Sequence, residues 1–171
     1  MNGSVLTKDE LTALNPDQIY NINTFVLHNE LWGLLDTRYT ELLGSPRRLE
    51  FNGKIREKLS DKKGIYMFFV EPDFPFSPKV SYLMYVGRVI GENTFNKRFY
   101  EYVNAIGNKN VRRNIQLLTN LWPGRTWVYV YELDLPDDEI TKIEDDLIDH
   151  VVPPMNNRFK LEKAFNSRSI Y

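Results

Sequence analysis

Gly64-Ile65-Tyr66-Met67-Phe68-Phe69-Val70 and Ser81-Tyr82-Leu83-Met84-Tyr85-Val86-Gly87 are two runs of aromatic and β-branched residues, joined by a loop that holds Pro72, Pro75 and Pro78. Such runs, bounded by Gly and Pro, are strand signals, and two of them joined by a loop predict an antiparallel hairpin. In that pairing the start of one strand lies beside the end of the next. Tyr66 and Tyr85 can then come close if their faces agree. The connecting loop, Glu71 to Pro78, is longer than a tight turn needs and carries Phe74 and Phe76. It can serve a function at the sheet edge or fold back on the sheet.

Downstream, Thr94 is a plausible helix cap, followed by Phe95, Phe99, Tyr102, Val103 and Ile106 at helical spacing. Arg98 flanks that stripe and can reach toward the sheet, whereas Lys97 points to solvent. A second helix is predicted from about Lys109 to Leu121 and is stopped by Pro123-Gly124. Thr126-Trp127-Val128-Tyr129-Val130-Tyr131-Glu132-Leu133 is the strongest strand pattern in the chain and predicts the third strand of the sheet.

A late helix starts near Pro136 and ends before Pro153-Pro154. Ile140, Ile143, Leu147, Ile148 and Val151 share one arc of it, and Glu144 lies inside that arc, at about 40° from Ile140 for ~100° per residue. Asp145, Asp146 and Asp149 fall on the other side. A lone buried carboxylate is costly unless it is paired or binds metal. Glu144 therefore marks either a structural salt bridge, with Arg98 as one partner, or a metal ligand. Asn156, after the prolines, can turn back toward the hairpin.

The set Gly64-Ile65-Tyr66, Tyr85-Val86-Gly87, Arg98, Glu144 and Asn156, in this order on these elements, resembles the GIY-YIG nuclease superfamily from Gly64 to about Asn156. The resemblance implies an α+β domain, a small three-stranded antiparallel sheet flanked by helices. It implies hydrolysis of phosphodiester bonds, usually in double-stranded DNA, with one divalent metal, Mg²⁺ or Mn²⁺. By the same resemblance Tyr66 is the general base, Tyr85 orients water or phosphate, Arg98 clamps the phosphate, Glu144 holds the metal and Asn156 fixes Glu144 or the hairpin. Tyr102, one turn after Arg98, is a candidate substrate contact by the same resemblance and equally reads as core; Arg88, next to the Tyr85-Val86-Gly87 motif, is a candidate phosphate contact or an ordinary surface residue. Asn157 is the alternative amide.

The rest of the chain adds bounds rather than chemistry. Its 171 residues and 42% apolar content fit one globular domain with an appendage. Residues 1–60 read as a mostly helical extension, 61–158 as the nuclease-like domain and 159–171 as a tail. Capping signals occur at Thr7 and at Asn15-Pro16, and Leu49–Phe51 before Asn52-Gly53 fits a short strand and turn. His28 has no sequence partner and reads as structural. With no Cys there is no disulfide and no thiolate zinc site, and no apolar run reaches membrane length. A cytoplasmic protein fits both. Net charge is −1, but bases cluster from Arg47 to Lys63 and from Arg88 to Arg125, and acids from Glu132 to Asp149. Such basic clusters suit phosphates or solvated faces. The competing functional class is a non-catalytic nucleic-acid-binding or scaffold module of the same fold. An RNA nuclease is a third class, separated by comparing DNA with RNA cleavage.

Overall fold

A computed structural model describes residues 29–35, 38–73, 75, 79–107, 113–162 and 164. The signals at Thr7, Asn15-Pro16 and His28, the loop aromatics Phe74 and Phe76, and Phe165 and Arg168 of the tail lie outside them. Short helices α1 (Asn29–Gly33) and α2 (Arg38–Leu43) precede strand β1 (Arg47–Glu50) and a 3₁₀ turn, Ile55–Lys58. Then come β2 (Gly64–Val70), β3 (Tyr82–Val89), α3 (Phe95–Asn104), α4 (Arg113–Asn120), β4 (Thr126–Glu132) and α5 (Asp137–Val151).

The class is α+β, and the sheet has four strands rather than the expected three, in the antiparallel order β1-β4-β2-β3. The added strand is β1, Arg47–Glu50, where the sequence predicts a short strand over Leu49–Phe51. It pairs with β4 from Arg47 opposite Val130 to Glu50 opposite Trp127, so the sheet begins before residue 60. Arg-Arg-Leu-Glu has little β propensity and no apolar alternation, so its strand state comes from pairing with β4.

Each sheet face carries its own core. Tyr66, Phe68, Met84, Val128 and Val130 pack under Phe95, Phe99 and Tyr102 of α3, Leu118 of α4, and Phe51 and Ile55. Ile65, Met67 and Val86 pack under Ile140, Ile143, Leu147 and Ile148 of α5, joined by Tyr39 of α2. Full burial of one such apolar side chain contributes roughly 1.5–3 kcal/mol, so the two helices hold the hairpin from both sides.

Local signals explain the helix ends. Thr94 accepts a hydrogen bond from the Lys97 amide at 3.2 Å, the expected cap of α3. The helix closes at Asn104, so Ile106 falls in the following turn and is 42% exposed, outside the stripe predicted for it. At the end of α5, Val152 takes the left-handed φ of 51°, costly for a β-branched residue. That turn, followed by Pro153-Pro154, sends the chain back along β3. The Met155 amide then donates to the Met84 carbonyl at 3.0 Å. Among the described residues, no helix is long and apolar enough to cross a membrane.

Candidate active site

Register decides which motif residues meet. Tyr66 stands opposite Gly87, and Ile65 opposite Arg88. A bulge in β3 lets Tyr85 pair with Phe68 while Leu83 pairs with Phe69, so Met84 is the extra residue. The bulge places Met84 and Tyr85 on one face, the face of Tyr66 and α3.

On that face three phenols gather. The Tyr66 and Tyr102 hydroxyls are 3.0 Å apart, and the Tyr66 and Tyr85 rings are 6.2 Å apart between centroids. Tyr85 also packs against Phe68 of the same face, with ring centroids 6.4 Å apart. Gly87 makes room for this cluster: a Cβ there would stand 2.5 Å from the Tyr66 hydroxyl and 2.8 Å from Tyr85 Cε1. Arg98 projects from α3 beside the phenols. Its Nη1 donates to Glu101 at 2.9 Å, while its buried Nε has no hydrogen-bond partner.

Electrostatics set the protonation of this group. Burial raises the Tyr66 hydroxyl well above the ordinary phenol range; Tyr102 and Tyr85 raise it further and Arg98 pulls it down. Burial raises Tyr102 in the same way, again with Arg98 opposing. Both phenols are held protonated at neutral pH. Tyr85 is partly exposed, so it is the phenol of the pair that water reaches more readily.

The remaining predicted residues lie on or around the other face. Glu144 is buried on α5 and accepts a hydrogen bond from Arg88 Nη1, not from Arg98. Arg88 was available as its partner from parity alone: Gly87 and Arg88 are consecutive on a strand, so their side chains take opposite faces. The phenol–Arg98 cluster and the Arg88–Glu144 pair thus flank one peptide of the edge strand β3, on opposite faces of the sheet. Asn156 is the amide that returns to the hairpin. Its Oδ1 accepts from the Val86 amide at 2.9 Å and its Nδ2 donates to the Val86 carbonyl at 2.8 Å. It satisfies the outer edge of β3 as a neighbouring strand would, one residue before Gly87. Asn156→Ala leaves both Val86 groups without these bonds, and each buried unsatisfied group costs about 1–3 kcal/mol. We expect roughly 2–4 kcal/mol lower stability in urea unfolding, with Asn157→Ala near wild type.

Among the described residues, no three His, Cys, Asp or Glu side chains gather as a cation site. Glu144 is a single carboxylate, which fits Mg²⁺ held by one protein oxygen with water and phosphate completing its shell. A buried carboxylate whose counter-ion is a third-exposed Arg matches that chemistry.

Sequence reasoning missed a second carboxylate. Glu71, at the end of β2, is buried and held by Arg48, by the Tyr129 hydroxyl at 2.8 Å and by Lys79 at 3.1 Å. Arg48 in turn stacks on Trp127, 3.3 Å from the ring centroid. A Glu beside a Pro after a strand carries no signal that would have singled it out. Several basic residues are also engaged: Arg47 and Lys62 share Glu132 at 3.1 and 3.0 Å, and Lys63 meets Asp137 at 2.9 Å. The acidic stretch that begins at Glu132 therefore neutralises part of the basic stretch before β2.

Comparison with protein-family models, curated proteins and solved structures finds no match to this chain. Fold and site define an α+β domain with a four-stranded antiparallel sheet and a phenol–arginine cluster at its edge strand.

Proposed function

We propose that the domain is a metal-dependent endonuclease of the GIY-YIG kind, hydrolysing phosphodiester bonds in DNA. The observation that carries this reading is the buried, unpartnered Nε of Arg98 beside Tyr66 and Tyr102. A buried donor without a partner costs about 1–3 kcal/mol, and an anionic phosphate oxygen would satisfy it with a charge-assisted bond. When bound at Glu144, a divalent cation supplies positive charge to the phosphate and its leaving oxygen.

Within that reading, access divides the two motif tyrosines. The resemblance gives the base role to Tyr66, but its hydroxyl is buried and shared with Tyr102. Tyr85 is the better base, being partly exposed and packed beside the Tyr66 ring. Tyr66 then holds Tyr102 and packs the motif glycine. We expect Tyr85→Phe to lower the cleavage rate by about 10²–10⁴, the usual worth of a general base. Tyr66→Phe should keep most of the rate and lose about 1 kcal/mol of stability. Single-turnover cleavage of a DNA fragment by both variants checks this, and the reverse ranking would return the base to Tyr66.

One observation favours the second reading, a nucleic-acid-binding or scaffold module. Glu144 already has a counter-ion in Arg88, as a purely structural ion pair would. Nicking of supercoiled plasmid with Mg²⁺ or Mn²⁺, wild type beside Glu144→Ala, separates the two. Metal-dependent nicking lost in the variant supports the nuclease. A folded wild-type protein that binds DNA and cuts none of several DNA sources supports the module.

A further inference from the structure

We propose that Arg88 is an exchangeable counter-ion for Glu144, so that a divalent cation and a phosphodiester enter the site as a coupled pair. The inference rests on the proposed nuclease reading for its ligands and on the Arg88–Glu144 geometry for its mechanism.

The two partners differ in freedom. The Glu144 side chain is 10% exposed and sits on the core-facing arc of α5, among Ile140, Ile143, Leu147 and Ile148. The Arg88 side chain is 33% exposed and stems from the edge strand. Its guanidinium can turn outward without disturbing either core; the carboxylate cannot follow. Departure of Arg88 alone would leave a buried, uncompensated carboxylate, an expensive state. Arg88 therefore leaves when another cation replaces it.

A divalent cation is such a replacement, and it competes with Arg88 for the same carboxylate. Once displaced, Arg88 stands on the edge strand as an unpaired planar fork, suited to a phosphate. Phosphate bound to Arg88 removes the competitor from Glu144. Each ligand thus strengthens the other, and by linkage the two effects are equal. Arg88 acts here as a positioning residue for the metal, through the carboxylate.

The test reads metal binding rather than cleavage. Mn²⁺ affinity is measured by electron paramagnetic resonance on the folded full chain, with and without a short phosphorothioate duplex. For wild type we expect weak binding by Mn²⁺ alone, strengthened roughly 5- to 150-fold by the duplex. Arg88→Met removes the competitor, so Mn²⁺ alone should bind more tightly by a similar factor, and the duplex should add little. Arg88→Lys keeps a competing cation and should stay near wild type. Adding Glu144→Gln to Arg88→Met should abolish the gain. If Arg88→Met lowers stability, Mn²⁺ should raise its melting temperature more than that of wild type. Unchanged or weaker Mn²⁺ binding in Arg88→Met, or a gain that survives Glu144→Gln, overturns the proposal. Plasmid nicking with no Arg88→Met effect would overturn the exchange alone. The Arg88→Met effect without nicking would retire the nuclease and leave the exchange standing.

Discussion

Gly64→Ala should unfold the hairpin from β4, with a loss of at least about 3 kcal/mol in urea unfolding. Two independent costs fall on this one methyl group. Gly64 holds φ at 143°, a region that L side chains rarely adopt. A Cβ there would also stand 2.0 Å from the Tyr131 carbonyl oxygen and 3.0 Å from the Leu133 amide nitrogen, both backbone atoms of the neighbouring strand and its exit. Backbone in a paired strand cannot yield as a flexible side chain can. Relief would require breaking the pairing of Gly64 with Glu132 and the 3.1 Å bond from the Leu133 amide to the Lys63 carbonyl.

Gly87→Ala makes an informative partner to that variant. Its Cβ would meet side chains, Tyr66 Cζ at 2.5 Å and Tyr85 Cε1 at 2.8 Å. The expected cost is smaller, about 1–3 kcal/mol as overpacking, and it is spent on displacing the two phenols. Near-ultraviolet circular dichroism should change more in Gly87→Ala than stability alone explains. Gly53→Ala, with nothing within 4 Å of its added carbon, should stay within about 0.5 kcal/mol of wild type. A Gly64→Ala protein as stable as Gly53→Ala would mean that β2 does not approach β4 as described.

Acid should weaken the fold through Glu71. Burial pushes this carboxyl up, but hydrogen bonds from Arg48, Tyr129 and Lys79 and the charge of Arg48 outweigh it and hold the pKa at about 2, below the ordinary 4.5. The folded pKa is depressed, so the stabilisation is present in full above the unfolded value, near 4.5. It is lost as pH falls from there through about 2. At about 1.4 kcal/mol per unit, the shift is worth roughly 3 kcal/mol at neutral pH. Glu71→Gln should remove most of that amount at pH 7 and flatten the dependence of stability on pH across the same window. Below the window, variant and wild type should converge. Parallel curves for the two proteins, offset by a constant amount, would place the acid sensitivity on another carboxylate.

Glu71 also ties the sheet across three strands. It directly follows β2, its partner Tyr129 lies on β4 and its partner Arg48 on β1. This contact helps explain why Arg47–Glu50 joins the sheet although its residues do not ask to be a strand. Cation–π stacking of Arg48 on Trp127 adds about 0.5–1 kcal/mol to the same seam.

Elements whose signals are local can be read along the chain. β2, β3 and β4 are legible because aromatic and β-branched residues run between glycines and prolines. α3 and α5 are legible because their apolar residues recur at helical spacing, and Glu144 stood out because it interrupts such a face. Proximity of Tyr66 to Tyr85 followed from hairpin topology, which constrains neighbours in the chain. The remaining features come from long-range packing. β1 is a strand only because β4 offers it an edge. The bulge opposite Phe68 and Phe69 fixes the face of Tyr85, and a bulge depends on how two strands fit rather than on either one. Glu144 found Arg88, not Arg98, because strand parity sends Arg88 to the face of α5 while α3 packs on the opposite side. Asn156 reaches Val86 only after the left-handed turn at Val152. Each of these depends on contacts between residues far apart in the chain, whose energies no local window contains.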